Sequence, residues 1–266
     1  MNRALFCGFF LMFPFVVMAE ASLPYGIQMG VGVSGTGGLN VFAGYYNNSL
    51  LPVWLRYLGI RIDFANSDPI KSVIDSAIEH YMRDGIDVGN GVKIDDGKLD
   101  AWHSSVLIDF YPFVGGVWRI TGGYSLGNTN LTTAIYGSVE DAPSERFYFN
   151  LGGEHYYYNG NDFDGITDIT WKYNGPYIGT GFDFDLFCGF SLFADIGVVF
   201  TNRAAKMSID IPHEQLYVYD IATASWSPVT IPRLDADIAQ ATHDANKKLA
   251  NLKLYPMIKL GFAYHF

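Results

Sequence analysis

Between Leu254 and Phe266 the side chains alternate without a break, and the alternation is inside out for a water-soluble protein. One set reads Leu254, Pro256, Ile258, Leu260, Phe262, Tyr264 and Phe266, and the other reads Tyr255, Met257, Lys259, Gly261, Ala263 and His265. A period of two puts these sets on opposite faces of a strand. The continuous apolar face needs a nonaqueous neighbour, while the face with Lys259, Gly261 and His265 suits a polar interior. That is the pattern of a strand in a membrane barrel, with lipid outside and a polar lumen inside.

The same two faces recur upstream. Residues 118–126 set Trp118, Ile120, Gly122, Tyr124 and Leu126 against Arg119, Thr121, Gly123 and Ser125. Residues 190–200 set Phe190, Leu192, Ala194, Ile196, Val198 and Phe200 against Ser191, Phe193, Asp195, Gly197 and Val199. Residues 102–110 set Trp102, Val106, Ile108 and Phe110 against His103, Ser105, Leu107 and Asp109. With 27–33, 39–46, 54–64 and 176–186 these segments make eight strands, each near the roughly 9–11 residues that cross a bilayer at a tilt. The mature chain has no run of about 18 uncharged apolar residues, so a closed barrel is its only way to satisfy the backbone in lipid.

Composition agrees. The chain is 49% hydrophobic and only 17% charged, where soluble domains carry about 25% charged residues. A net charge of −10, from 17 Lys+Arg and 27 Asp+Glu, excludes a nucleic-acid surface, which needs a clustered basic face. Residues 1–21 hold Arg3, an apolar run from Ala4 to Met18 and small residues at Val17-Met18-Ala19 and Ala19-Glu20-Ala21. This predicts a signal peptide cleaved after 19 or 21 and a single barrel domain over 22–266. Cys7 leaves with the signal, so Cys188 is the one mature cysteine and no internal disulfide is expected.

With the mature start in the periplasm, the turns 47–52, 112–116 and 187–189 fall on the inner side and are short. The connections 65–98, 127–175 and 201–251 fall outside and are long, the asymmetry expected of such barrels. Two of them carry helical patterns. Asp68-Pro69 starts one, with Ile70, Ile74, Ala77, Ile78 and Tyr81 at helical spacing and Gly85 at its end. The other runs from Leu234 to Lys248 with Leu234, Ile238, Ala241, Ala245 and Leu249 on one stripe. Asp235 and Asp237 lie at its start and Lys247 and Lys248 at its end, the order favoured by the helix dipole.

The ending Lys259-x-Gly261-x-x-Tyr264-x-Phe266 resembles the terminal signal of bacterial outer-membrane barrels, which implies recognition by the barrel assembly machinery. Residues 30–46, 107–132, 176–182 and 255–266 resemble a proteobacterial family of small, mostly uncharacterised outer-membrane barrels. That family has Asp-Trp-His-Pro-Phe where this chain has Asp109, Phe110, Tyr111, Pro112 and Phe113, with Arg119 also matching. The resemblance implies an eight-stranded barrel and carries over no catalytic residue. The helical insertion at 68–84 departs from the family.

The inward phase collects Arg61, Asp63, Asp109, Arg119, Asp183, Asp185, Asp195 and Lys259. Eight strands leave a bore that side chains fill, so these charges are expected to pair across it as a plug. A narrow path for ions or small solutes is the alternative. A hydrolase acting on lipid A or peptides comes third: His103, Ser105 and Asp109 share a face, and Asp210 lies near His213. Residues two apart on a strand are about 7 Å apart, which argues against direct contact in the first set. The loop 159–165, with Asp162, Asp164 and Gly165, lacks calcium ligands at Gly160 and Trp171. The aromatic runs 146–150 and 155–159 are expected to extend strands above the membrane, with rings at the interface, and Trp54, Trp118, Tyr264 and Phe266 to form the inner girdle.

The resulting fold class is all-β, a transmembrane antiparallel eight-stranded up-and-down β-barrel with helices in its long outer loops. Its expected setting is the outer membrane of a Gram-negative bacterium, among lipid and lipopolysaccharide, with the assembly machinery and periplasmic chaperones as partners in biogenesis. The expected role is envelope structure or surface interaction, without catalysis, cofactor, metal or nucleic acid.

Overall fold

The computed structural model describes residues 26–46, 57–82, 86–89, 92–113, 117–137, 147–159 and 165–266. The predicted signal peptide, Trp54 and the acidic positions Asp162 and Asp164 lie outside the described residues. In chain order the first strands are β1 (Gly26–Ser34), β2 (Gly38–Tyr46), β3 (Leu58–Asn66), β4 (Ile86–Gly89), β5 (Val92–Phe110), β6 (Trp118–Gly137), β7 (Phe147–Leu151) and β8 (Glu154–Tyr158). They are followed by β9 (Gly165–Phe187), β10 (Phe190–Phe200), β11 (Lys206–Asp210), β12 (Leu216–Asp220), β13 (Ser225–Pro228) and β14 (Leu254–His265). The helices are α1 (Lys71–Met82) and α2 (Ile231–Leu249).

Eight of these strands close a ring in the order β1, β2, β3, β5, β6, β9, β10, β14, each antiparallel to its neighbours. These are the eight anticipated from the alternation. Outward residues are apolar and uncovered: Phe262 is 57% exposed and Ile196 55%. Soluble monomers do not leave belts of this size in water. No described helix is long and apolar enough to cross a membrane; the uncovered apolar belt is carried by strands. At the short-turn end, Phe190 meets Tyr264 with ring centroids 4.9 Å apart, Tyr264 meets Phe266 at 4.8 Å and Phe113 stacks on Trp118 at 5.6 Å. These rings form the aromatic collar expected at one membrane interface.

The ring closes where β1 meets β14, and the fit there is tight. Gly32 pairs with Gly261. A Cβ on Gly32 would sit 2.3 Å from the Leu260 carbonyl oxygen and 2.7 Å from the Gly261 Cα. One on Gly261 would sit 2.4 Å from the Val31 oxygen. Only hydrogen lets the two backbones approach this closely. At the opposite edge of β14, the chain reverses from β9 to β10 through Cys188 and Gly189, both with positive φ. This is the backbone that a two-residue hairpin requires.

Three strands run much farther than the sequence led us to expect. β5, β6 and β9 span 19, 20 and 23 residues. Their upper portions, such as Asn128 to Thr133, carry polar side chains on both faces. Above the belt both faces are wet, so the ladder continues while the apolar alternation that signals a strand disappears. Helix α1 starts one residue away from the anticipated cap. Ser67, not Asp68, precedes the helical turn Asp68–Ile70, and its hydroxyl accepts from the Ala101 N–H at 2.9 Å. The hydroxyl thus ties the helix entry to β5.

The aromatic runs near 146–159 do not extend barrel strands, which corrects the sequence reading. They form β7 and β8 of a separate four-stranded sheet, ordered β13, β12, β8, β7. Leu216 pairs with Tyr158 across two different long connections. One face of this sheet packs Phe149, Leu151, Tyr156, Tyr158, Leu216 and Val218 against Leu234 of α2. Tyr156 is fully buried and its hydroxyl donates to Asp237; burial, then that carboxylate, pushes its phenol well above the ordinary range. Outside the bilayer the chain thus builds a second, water-type core, with apolar side chains inward.

Gly32→Leu should prevent the seam from closing. Measured as the compact form that resists SDS until heated, the barrel fraction is expected to fall well below wild type, whereas Leu260→Ile on the lipid face should leave it unchanged.

Candidate functional site in the barrel lumen

Inward positions of β2, β3, β5, β6, β9, β10 and β14 bring their polar groups to one axis. Arg61 from β3 donates from Nη2 to Asp109 Oδ1 at 3.3 Å and from Nη1 to Asp195 Oδ2 at 2.9 Å, with its Nε 3.2 Å from Asp109 Oδ2. Arg119 from β6 reaches Asp183 and Asp195 with its two terminal nitrogens and lies 3.5 Å from Asp109 through Nε. The two guanidinium groups thus share the Asp109 and Asp195 carboxylates. Lys259 Nζ from β14 donates to Asp63 Oδ1 at 2.8 Å. Arg61 and Arg119 are each 1% exposed and Lys259 is 2%.

Neutral donors add to the shells of these carboxylates. Tyr46 donates to Asp109 at 2.9 Å and Thr121 donates to it at 2.6 Å. Tyr111 donates to Asp183 at 3.0 Å, and Asn40 Nδ2 donates to Asp63 at 2.9 Å. Buried charge is tolerated only with this degree of pairing and hydrogen bonding. The partners Tyr46, Asn40 and Thr121 escape sequence reasoning, although each shares the inward parity of the charges. Tyr111 occupies the place of the histidine in the resembled family, and its phenol serves Asp183.

Seven of the eight anticipated charges are ion-paired in the lumen, five in the cluster around the two arginines and two as the pair Lys259–Asp63. Asp185 is not: it is exposed near the short-turn end, past the point where β9 keeps a covered inner face. The register explains this, because the ladder shifts between Phe190 and Ser191 and Asp185 is opposite Ser191 at the rim.

Aromatic and apolar side chains pack beside these charges. Phe42 and Phe193 meet edge to face at 5.1 Å, with Ala263 beside them, and the Arg61 guanidinium lies 5.1 Å from the Phe42 ring centre. Toward the long-connection end, Tyr173 stacks on Tyr255 at 3.8 Å, packed with Leu107, Tyr177, Val199 and Met257. The Tyr255 hydroxyl donates to the Thr36 carbonyl at 2.9 Å, fastening this layer to the first outer hairpin.

The residues weighed as hydrolytic groups are engaged elsewhere. His103 Nε2 lies 3.0 Å from Asp63 Oδ1, and Ser105 Oγ lies 2.7 Å from Ser125 Oγ. Asp109 is occupied by both arginines, Tyr46 and Thr121. Sharing one strand face therefore does not assemble a triad. His213 pairs with Asp235 of α2 at 3.0 Å rather than with Asp210, because Asp210 ends β11 while His213 turns toward the helix.

No protein-family model and no curated protein matches this sequence. Among solved structures the chain is similar to Acinetobacter baumannii CarO, with 15% identity, a TM-score of 0.53, and coverage of 92% of this chain and 98% of that one. A second match, to Acinetobacter baumannii CarO2, has 17% identity, a TM-score of 0.52, and coverage of 92% and 99%. At these identities the likeness is one of fold. A major outer membrane protein from Thermus thermophilus aligns at a TM-score of 0.39 and 15% identity, too weak to establish a common fold.

Arg119→Ala strips three buried carboxylates of a shared cation and should destabilise the barrel by about 3–5 kcal/mol, the cost typical of breaking a buried pair. Urea unfolding in lipid vesicles measures it. Arg119→Lys is expected to recover only part, since one ammonium does not reproduce the planar fork.

Proposed function

We propose that this chain is an integral outer-membrane β-barrel of a Gram-negative bacterium with a non-enzymatic role in envelope structure or surface interaction. Its lumen acts as a closed plug, and the observation that carries the reading is the shared bidentate pairing of Arg61 and Arg119 across the axis. The strand-borne apolar belt supports membrane placement, and the water-type core built by α2 and the four-stranded sheet supports a folded surface at the long-connection end. Lipid and lipopolysaccharide surround the barrel in this reading.

The terminal Lys259, Gly261, Tyr264 and Phe266 serve the assembly machinery, with periplasmic chaperones escorting the chain. In support, Tyr264 on the lipid face of β14 and Phe266 just beyond its end are both exposed. Deleting Phe266 is expected to lower the yield of membrane-inserted, heat-modifiable barrel without altering synthesis, as read by fractionation and gel mobility.

Planar-bilayer recording of the purified protein tests the plug. Wild type is expected to be electrically silent. Reproducible unitary steps that Arg119→Ala or Asp195→Ala abolishes would replace this reading with a narrow channel for ions or small solutes. Lipid A mass shifts that depend on His103 would replace it with an enzyme.

A further inference from the structure

The lumen network absorbs Arg61, Arg119 and Lys259, but three other cations converge outside the barrel. Lys172, Arg203 and Lys206 line one hollow of about 800 Å³ together with Thr170, Ala204, Ala205 and Asn246. No described carboxylate lines it. None of the three cations forms an ion pair with a described carboxylate. This is notable in a chain with ten more acidic than basic residues. Asp168, two residues before Thr170, instead accepts the Thr132 hydroxyl at 2.5 Å.

The fold holds this hollow open from several sides. β11 pairs with the upper part of β9, setting Lys206 opposite Thr170. Trp171 donates to the Arg203 carbonyl at 3.1 Å, which fixes the link between β10 and β11. Asn246 of α2 both accepts from the Met207 N–H at 2.7 Å and donates to the Met207 carbonyl at 3.0 Å, closing the far side. Cations placed together on so braced a surface repel one another unless an anion sits between them.

Height and direction identify the anion. Trp171 and Tyr173 turn toward the lumen, so Lys172 points away from the axis, to the lipid side of β9. Below it on the same face come Pro176, Ile178, Phe182 and Phe184, all exposed. Lys172 to Pro176 is four residues, roughly 13 Å along a strand and less along the membrane normal once the strand tilts. At the tilt of such barrels this is roughly 9–11 Å, against a headgroup layer of roughly 5–8 Å on each side of the hydrocarbon, so the hollow stands just above that layer and its long Lys and Arg side chains reach down to it. An Arg fork and Lys ammonium groups match phosphate oxygens, and the volume suits a headgroup rather than a bare ion.

We infer that this hollow is a binding site for the net-anionic phosphate headgroup of a membrane lipid in the leaflet at the long-connection end. The site rests on the membrane-spanning placement and is independent of whether the lumen conducts. Native mass spectrometry of the full protein in neutral detergent, titrated with phosphatidic acid, phosphatidylcholine or inorganic phosphate, tests it. Phosphatidic acid should be retained and phosphatidylcholine should not. Lys172→Gln, Arg203→Gln and Lys206→Gln together should weaken retention by about tenfold or more, given the contribution of each cation near an anionic surface. Lys71→Gln should have no effect.

Heat-modifiable mobility of the triple variant verifies its fold, and Lys172→Gln alone gives a smaller loss in the same direction should the triple variant not fold. Equal retention of the two lipids, or wild-type retention by the folded variants, overturns the site. Displacement of phosphatidic acid by an equal concentration of inorganic phosphate overturns the lipid as its source.

Discussion

In a bilayer every peptide N–H and C=O must find a partner within the protein, and this requirement governs the rest of the molecule. A sheet meets it only by closing, so β1 must join β14, and the joining demands the bare backbones of Gly32 and Gly261 at their point of contact. Closure by eight strands then limits the bore to what side chains can fill. The charges inside are therefore held by each other, by phenols and by hydroxyls.

The molecule uses opposite packing rules in two solvents. Within the belt, Ile196 and Phe262 face out while Arg61 and Lys259 face in. Beyond it, Tyr156 and Leu234 are buried against each other's elements and α2 shows its charged side to water. The change of rule occurs along single continuous strands, since β9 runs from the wet end at Gly165 to the collar at Phe187. This makes the headgroup level a natural place for polar side chains such as Lys172 to meet the lipid.

What the sequence disclosed follows the same division. Where lipid stands on one side and a polar bore on the other, alternation is stark, and all eight ring strands and seven inward charges could be read from it, while the two helices showed in their own spacing. Where water lies on both sides, residues such as Asn128 and Thr132 carry no such contrast, so the long extensions of β5, β6 and β9 left no pattern. The separate sheet was hidden for another reason. Its alternation is present at Phe149 and Leu151, but its defining contact, Leu216 with Tyr158, joins segments far apart in the chain. Nor does a shared strand face show which groups touch: His103 bonds Asp63 on the adjacent strand β3 rather than Ser105 on its own strand.

The pairing of β1 with β14 also carries a kinetic consequence. Met29 is hydrogen-bonded in register with Tyr264, so the contact that completes the ring joins the most widely separated strands of the sheet. Contacts of such sequence separation bear the greatest loop-closure entropy and form late. Until they form, both edges are open and able to take up another strand, which makes the unfinished intermediate, rather than the finished barrel, the species that most needs an escort.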